Sequence, residues 1–131
     1  MEDSIFTKII KGELPCHKIY EDERVIAFLD IHPDVPAHTL VVPKHQVDHI
    51  WDLSDTDYAA LMTAVKKISN HLRSKTKKTR VGVKIEGFDV PHAHVHLLPV
   101  DSGEEFKQYG NPDAQPNHAA LSALAESLRL Q

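Results

Sequence analysis

Three histidines alternate with apolar residues in the stretch PHAHVHLLP, residues 91–99. Successive side chains of a β-strand point to opposite faces, so His92, His94 and His96 would share one face of a strand. Neighbouring histidine Cα atoms would then lie about 6.6 Å apart, and the outer pair about 13 Å apart. The opposite face would be apolar and could be covered by helices, since it carries Ala93, Val95 and Leu97. The pattern therefore predicts a strand with one apolar face and one imidazole face.

Three interpretations of this imidazole face differ in their chemistry. An exposed polar face would have no need of histidine, because lysine, threonine or glutamate would serve equally well. A zinc site could use two histidines at i and i+2 with a third ligand from elsewhere, for which the candidates are His38, His45 and His49. A catalytic site would suit phosphate chemistry, because a neutral imidazole attacks phosphorus and a protonated neighbour stabilises negative charge on a phosphoryl oxygen. The strict alternation of three histidines favours the catalytic interpretation.

The N-terminal part of the chain predicts one short helix and three strands. Ser4 can cap a helix that ends near Gly12. A hairpin of two strands follows within residues 19–29. Two prolines make residues 30–37 a loop, and the apolar run that follows predicts a strand at 38–42.

The rest of the chain predicts a long central helix, two strands and a final helix. The central helix spans residues 54–75, is capped by its first residue, and carries apolar residues at steps of three and four. Alternation predicts strands at 80–86 and 92–100. Residues 103–116 are loop-like, and Asn117 can cap the last helix. This order predicts the α+β class, with a mainly antiparallel sheet and helices on one face.

The composition limits the functions that the chain can have. Its 131 residues suit one compact domain, and 41% hydrophobic and 26% charged residues favour a folded chain. The net charge of −4 gives no reason to expect nucleic acid or an acidic membrane as the main partner. Cys16 is the only cysteine, so we expect no internal disulfide. Because we find no signal peptide and no apolar stretch long enough to span a membrane, we expect a cytoplasmic protein.

Three blocks of sequence together resemble the histidine triad (HIT) family. The alternating histidines match its signature, His-x-His-x-His-x-x with apolar x. Residues 4–22 resemble the family's N-terminal helix and first strand, and residues 25–46 resemble its central block. The resemblance covers the core, about residues 4–100, of a single HIT-like domain over residues 1–131. The tail and final helix, residues 101–131, match less specifically.

The resemblance implies a role for each of four histidines in a nucleotide hydrolase or transferase. His94 would attack the α-phosphorus of a nucleotide and form a covalent nucleotidyl-histidine, which water would then hydrolyse. His96 would hold an α-phosphate oxygen. The backbone carbonyl of His92 would fix the ring tautomer of His94, and His38 would lie near the leaving group.

The resemblance also implies how the nucleotide is held. The Asp30 carboxylate would accept hydrogen bonds from the ribose hydroxyls. The expected ligand is a purine nucleoside monophosphate or one of its conjugates, with its base in an apolar slot formed by Ile5, Phe6, Leu14, Phe28 and Ile31. We assign the remaining histidines to the surface or to packing: His17, His32, His45, His49, His71 and His118.

Some positions depart from the family pattern. Ser4 and Thr7 stand where some bacterial members carry a Cys-x-x-Cys pair that helps to hold zinc, so we expect no such site. The loop before the triad, residues 87–91, is shorter than in many members. Ile85 and Asp89 stand about where those members carry polar residues that reach the phosphate. An ionised Asp89 would repel a phosphate unless it turned away.

We therefore expect a phosphoramidase that acts on purine nucleoside phosphoramidates or related conjugates, without a metal or cofactor. The resemblance also implies a homodimer, with the helix at 54–75 as a candidate surface. Two alternatives remain open. One is a dinucleoside polyphosphate hydrolase, which would need basic residues near His38, where Lys44 is the only candidate near in sequence. The other is a non-catalytic nucleotide-binding or interaction module.

Overall fold

The computed structural model describes residues 2–130 and contains one five-stranded sheet with four α-helices. The strands are β1 Lys18–Glu21, β2 Val25–Leu29, β3 Thr39–Pro43, β4 Arg80–Lys84 and β5 Val95–Val100. The helices are α1 Ile5–Ile10, α2 Asp55–Thr76, α3 Gly103–Phe106 and α4 His118–Leu128, with a 3-10 turn at Ile50–Asp52. The sheet order is β1-β2-β3-β5-β4, and all neighbouring strands are antiparallel. The α+β class predicted from the sequence is confirmed.

The two long helices, α2 and α4, cover one face of the sheet. Alternate residues of the central strands point to this face, so Val41, Val95 and Leu97 lie in one buried cluster with Leu61 and Ile68 of α2. This cluster is the main hydrophobic core. The apolar residues between the triad histidines face the helices, as the alternation predicted.

The opposite face of the sheet, called the second face below, carries the short helices. Phe6 of α1 packs there with a separate apolar cluster from the central strands, which contains Ile26, Phe28, Leu40 and Val42. Phe106 of α3 packs farther along the same face against Val35, Leu98 and Val100. The long helices thus lie on one face, whereas α1 and α3 lie on the second face in two separate apolar clusters.

Helices α1, α2 and α4 begin at the predicted capping residues. The Ser4 side chain accepts a hydrogen bond from the N–H of Thr7, and Ser54 accepts one from the N–H of Asp57. Acidic residues in the first turn of α2 add a favourable interaction with the helix dipole. The Asn117 side chain caps α4 in the same way. Within residues 2–130, no helix is both long and apolar enough to cross a bilayer.

The strand that carries the triad begins at Val95, three residues later than predicted. The last residue pair between β3 and β5 joins Val41 to Val95. Continuing the ladder would bring Ala93 opposite Pro43, which has no N–H to donate. The first two histidines of the triad therefore lie in irregular backbone before β5, and only His96 is part of the strand.

The segment after β5 is docked on the second face and contains the short helix α3, where only a loop was predicted. The Phe106 ring covers Gly82, at which any Cβ would overlap the ring. Farther along, the Gly110 N–H donates to Asp34 Oδ1 at 2.7 Å. This tail therefore packs against β4 and against the loop that contains Asp34.

Candidate active site

A cavity of about 750 Å³ opens on the second face between α1 and the sheet. Its size is typical of small-ligand sites. Eight of the ten predicted site residues line it: Ile5, Phe6, Leu14, Phe28, Asp30, Ile31, His94 and His96. The other two, His38 and His92, lie behind this lining and are 2% and 0% exposed.

The ring of His94 is held in one tautomer by a backbone contact. Its Nδ1 lies 2.7 Å from the carbonyl oxygen of His92, so Nδ1 carries the proton and donates a hydrogen bond to that oxygen. The lone pair of the neutral ring is then on Nε2. The Phe6 ring packs edge-on against His94 at 5.0 Å between ring centroids. His94 therefore brings an unprotonated nitrogen, in a fixed orientation, to the cavity wall.

His92 is itself held by a buried hydrogen-bond network that links α1 to the end of β3. Its Nε2 donates to the Pro43 carbonyl at 2.7 Å, so its Nδ1 accepts from the Ser4 hydroxyl, also at 2.7 Å. The Ser4 hydroxyl accepts from the N–H of Thr7, whose own hydroxyl donates to Gln46 Oε1 at 2.5 Å. Burial lowers the pKa of His92, which keeps it neutral. The sequence singled out Ser4 and Thr7 but missed Gln46, which lies 42 residues from Ser4.

This network does not fit the zinc site that some family members build at the corresponding positions. Zinc prefers thiolate, imidazole or carboxylate donors, whereas Ser4, Thr7 and Gln46 offer hydroxyl and amide groups. Those groups also satisfy one another by hydrogen bonds. Here hydrogen bonds to Ser4 and Pro43 hold His92, and the carbonyl of His92 in turn holds His94.

His38 and His96 form a second chain of hydrogen bonds. Nδ1 of His38 accepts the backbone N–H of Asp34 at 3.0 Å, so its Nε2 carries the proton and donates to Nδ1 of His96 at 2.9 Å. The proton of His96 is then on Nε2, which is buried and has no hydrogen-bond partner among residues 2–130. The His96 and His94 rings lie 4.9 Å apart between centroids. A hydrogen-bond donor and a nucleophilic nitrogen therefore stand side by side.

Both rings of this pair are neutral near pH 7. Burial lowers the pKa of His38 to about 4, against an opposing effect of the Asp34 carboxylate. Burial, together with the neighbouring His94 and His38, lowers the pKa of His96 to about 4. His96 is thus a neutral N–H donor, not the protonated neighbour that the sequence led us to expect.

Asp30 presents a carboxylate at the cavity wall. Its Oδ1 accepts the N–H of His32 at 2.8 Å, and its Oδ2 lies 3.6 Å from Nε2 of His38. Burial raises the pKa of Asp30. The Oδ2 atom is available for the hydroxyl groups of a ligand.

The apolar residues assigned to the base slot divide into a floor and a rim. Phe6 and Phe28 are buried with their ring centroids 5.6 Å apart, so they also belong to the packing of the second face. Ile5, Leu14 and Ile31 are 56%, 40% and 41% exposed. Large apolar side chains left exposed around a concave surface are typical of a ligand slot.

One set of side chains could hold a metal ion. Ligand atoms of Asp30, His38 and His96 lie within 4.8 Å of one another. However, the two histidines already share an N–H···N bond, and a metal would have to replace that shared proton. The other metal-ligand candidates, His45 and His49, do not join this set.

The far rim of the cavity carries three histidines that the sequence assigned to the surface or to packing. His17, His32 and His118 all line the cavity. Nε2 of His17 lies 3.0 Å from Nδ1 of His118, which ties the start of α4 to the rim. The tail thus takes part in the site, although 101 residues separate these two histidines.

The charged residues beside the triad also differ from expectation. Lys44, the predicted candidate cation, pairs with Glu21 at 2.8 Å. Lys84 instead stands directly opposite His96 in the sheet. Negative charge comes from Glu86, whose Oε1 lies 3.9 Å from Nε2 of His96, and from Asp89, which is exposed on the cavity rim.

Comparison with known proteins identifies the family of the chain. The chain matches the HIT domain family model over residues 11–103. It is 40% identical over 106 residues to an uncharacterized HIT-like protein of Borreliella burgdorferi, covering 76% of each chain. It is 32% identical over 125 residues to the adenosine 5'-monophosphoramidase of Schizosaccharomyces pombe, covering 95% of this chain and 94% of that one. The crystal structure of a Hit-like protein from Bartonella henselae has a TM-score of 0.82 at 30% identity, over 97% of this chain and 95% of that one. The protein therefore belongs to the HIT domain family.

Proposed function

We propose that this protein hydrolyses purine nucleoside phosphoramidates, or related nucleotidyl conjugates, at the α-phosphorus. The observation that carries the proposal is the pair of neighbouring rings with opposite hydrogen-bonding states. His94 offers a lone pair on Nε2, and His96 offers an N–H without a partner. Displacement at a phosphoryl group needs both: a nucleophile to attack phosphorus and a hydrogen-bond donor to stabilise charge on oxygen. The similarity to the fungal adenosine 5'-monophosphoramidase supports the same substrate class.

In the first step, Nε2 of His94 forms a bond to the α-phosphorus while the bond to the leaving group breaks. The leaving amine takes the bonding electron pair and a proton from solvent. The N–H of His96 donates to a non-bridging phosphoryl oxygen and stabilises its charge. The proton of His94 stays on Nδ1 and keeps its hydrogen bond to the carbonyl of His92, which stabilises the positive charge that the attacking ring acquires.

In the second step, water attacks the phosphorus of the nucleotidyl-histidine. The P–N bond breaks, its electron pair returns to Nε2 of His94, and the proton of the attacking water passes to solvent. Asp30 binds the ribose hydroxyls throughout, and the apolar slot holds the base. Because an apolar slot discriminates weakly between purines, we propose a purine nucleotide without choosing the base.

The covalent intermediate can be detected directly. When wild-type protein is mixed with adenosine 5'-phosphoramidate in the presence of EDTA and quenched rapidly, mass spectrometry of the intact chain should show one added adenylyl group. The adduct should decay as adenosine monophosphate appears. If the nucleotide binds but neither adduct nor product forms, the protein is a nucleotide-binding module. If EDTA alone prevents turnover, the proposal of metal-free catalysis is wrong.

We also propose that the protein is a homodimer. Besides the surface of α2, the edge of the sheet is a second candidate surface. There β4 has one unpaired side, and Val83 and Ile85 are 43% and 38% exposed. An exposed apolar edge strand is a favourable surface for pairing with a second copy. Light scattering of the purified protein should give twice the mass of one chain, and a single-chain mass would contradict the proposal.

A reducing compartment such as the cytoplasm suits the only cysteine of the chain. Cys16 is half-buried and free, and burial raises the pKa of its thiol, which disfavours the reactive thiolate. We therefore propose a cytoplasmic location.

A further inference from the structure

One row of side chains crosses the second face of the sheet. Phe28 pairs with Leu40, Leu40 pairs with His96, and His96 pairs with Lys84 in successive strands. Directly opposed residues in antiparallel strands place their side chains on the same face, with Cβ atoms about 5 Å apart. With the base over Phe28 and the phosphate at His96, the next position in the row faces the leaving group. That position is Lys84.

The Lys84 side chain is held in place by the docked tail. Its Nζ lies 4.8 Å from the ring centroid of Phe106 and 5.0 Å from that of Tyr109. Two aromatic faces attract a cation and limit its movement. Phe106 can occupy this place because Gly82, two residues earlier on β4, has no side chain in its way.

The ammonium group of Lys84 has no carboxylate to neutralise it. Among the ion pairs formed within residues 2–130, none includes Lys84. The nearby acids are engaged elsewhere or face other groups: Glu86 lies towards His96, and Asp34 accepts from the N–H of Gly110. A half-buried lysine kept in position without an anion is ready to bind one.

We propose that Lys84 recognises an anionic oxygen group, phosphate or carboxylate, on the leaving group of the substrate. The proposal rests on the proposed function, because it assumes that the phosphoryl group sits at His94 and His96. With a carboxylate-bearing amine, the P–N bond breaks and the amine takes the electron pair and a proton, while its carboxylate stays paired with Lys84. With a phosphate leaving group, the P–O bond breaks and the phosphate departs with the electron pair.

A matched pair of substrates tests this proposal. The phosphoramidates of adenosine monophosphate with β-alanine and with β-alaninamide differ only in the charge of the leaving group, and adenosine diphosphate supplies the phosphate case. Lys84→Gln should lower kcat/KM about tenfold for the carboxylate substrate and less than twofold for the amide, since a charge-assisted hydrogen bond is lost only from the former. Lys84→Arg should restore most of the difference in kcat/KM between the carboxylate and the amide substrate.

Lys66→Gln is the matched control, because Lys66 is exposed on α2 and its loss changes the net charge equally. Equal losses for acid and amide in Lys84→Gln, or no loss with either the β-alanine conjugate or adenosine diphosphate, would overturn the proposal. A tenfold loss with adenosine diphosphate alone would assign phosphate as the recognised group, and a loss with the β-alanine conjugate alone would assign carboxylate.

A binding measurement separates failure of this proposal from failure of the proposed function. If wild-type protein cleaves neither phosphoramidate, the proposed function fails, but calorimetry with the intact protein still tests Lys84. In a His94→Asn background, Lys84→Gln should weaken binding of adenosine diphosphate about tenfold and that of adenosine monophosphate less than threefold. Equal weakening of both nucleotides would overturn the assignment of Lys84.

Discussion

Replacing His94 by asparagine should lower kcat for adenosine 5'-phosphoramidate by about 10⁴-fold, because the variant has no nucleophile. Asparagine is a suitable replacement because its side-chain N–H can still donate to the carbonyl of His92, as Nδ1 of His94 does. The backbone before β5 should therefore keep its conformation. The measurement is steady-state hydrolysis, with circular dichroism to verify that the variant is folded.

Two controls show whether the loss is chemical. Affinity of His94→Asn for adenosine monophosphate should stay within about threefold of wild type, because the base slot, Asp30 and the His96 donor are unchanged. His45→Asn removes an exposed histidine outside the cavity and should retain full activity. If His94→Asn retained a tenth of wild-type activity or more, another group would have to be the nucleophile and the two-step mechanism would be wrong.

The features that the sequence predicted correctly depend on local chemistry. Ser4, Ser54 and Asn117 were identified as helix caps from their side chains and the apolar residues that follow, and each forms the expected bond. The alternation in β5 correctly separated the residues that face the helices from His96. Local rules failed at His92, because the end of that strand depends on Pro43 in a different part of the chain.

The parts of the site that the sequence missed depend on the register of the sheet and on the docked tail. Lys84 lies opposite His96 only because β4 pairs with β5 in one particular register, which the two sequences do not specify by themselves. Likewise, the tautomer of His38 depends on the backbone of Asp34, whose carboxylate is held by Gly110. Such contacts join residues far apart in the chain, so periodicity and spacing carry no signal for them.

Acidification should destabilise the protein through the same histidine pair. The pKa values of His38 and His96 in the folded chain are lowered to about 4 by burial, whereas an unfolded histidine has a pKa of about 6.5. Between these values the unfolded chain binds protons that the folded chain does not, so the free energy of unfolding falls as pH falls. The contribution of these two histidines to the free energy of unfolding should be constant above about pH 7. It should decrease from about pH 6.5 towards pH 4.

The size of this effect is large for a small domain. One pKa unit corresponds to about 1.4 kcal/mol, so one such histidine lowers the free energy of unfolding by roughly 3 kcal/mol between pH 7 and pH 4. Asp30 opposes the trend, because burial raises its pKa and the folded chain then gains a proton earlier than the unfolded chain. The direction is still set by the histidines, since the lowered pKa of His92 adds to the same trend.

A single substitution isolates the contribution of the pair. Urea unfolding at pH 7.0 and pH 4.5 measures how much free energy of unfolding is lost on acidification. This loss should be about 2 kcal/mol smaller in His96→Asn than in wild type, because the variant lacks one of the two groups. His45→Asn should keep the wild-type dependence, since that histidine is 72% exposed and outside the buried pair. An unchanged dependence in His96→Asn would mean that His96 takes up its proton equally in both states. That result would contradict the pKa of about 4 in the folded chain, which is the basis for treating His96 as a neutral donor.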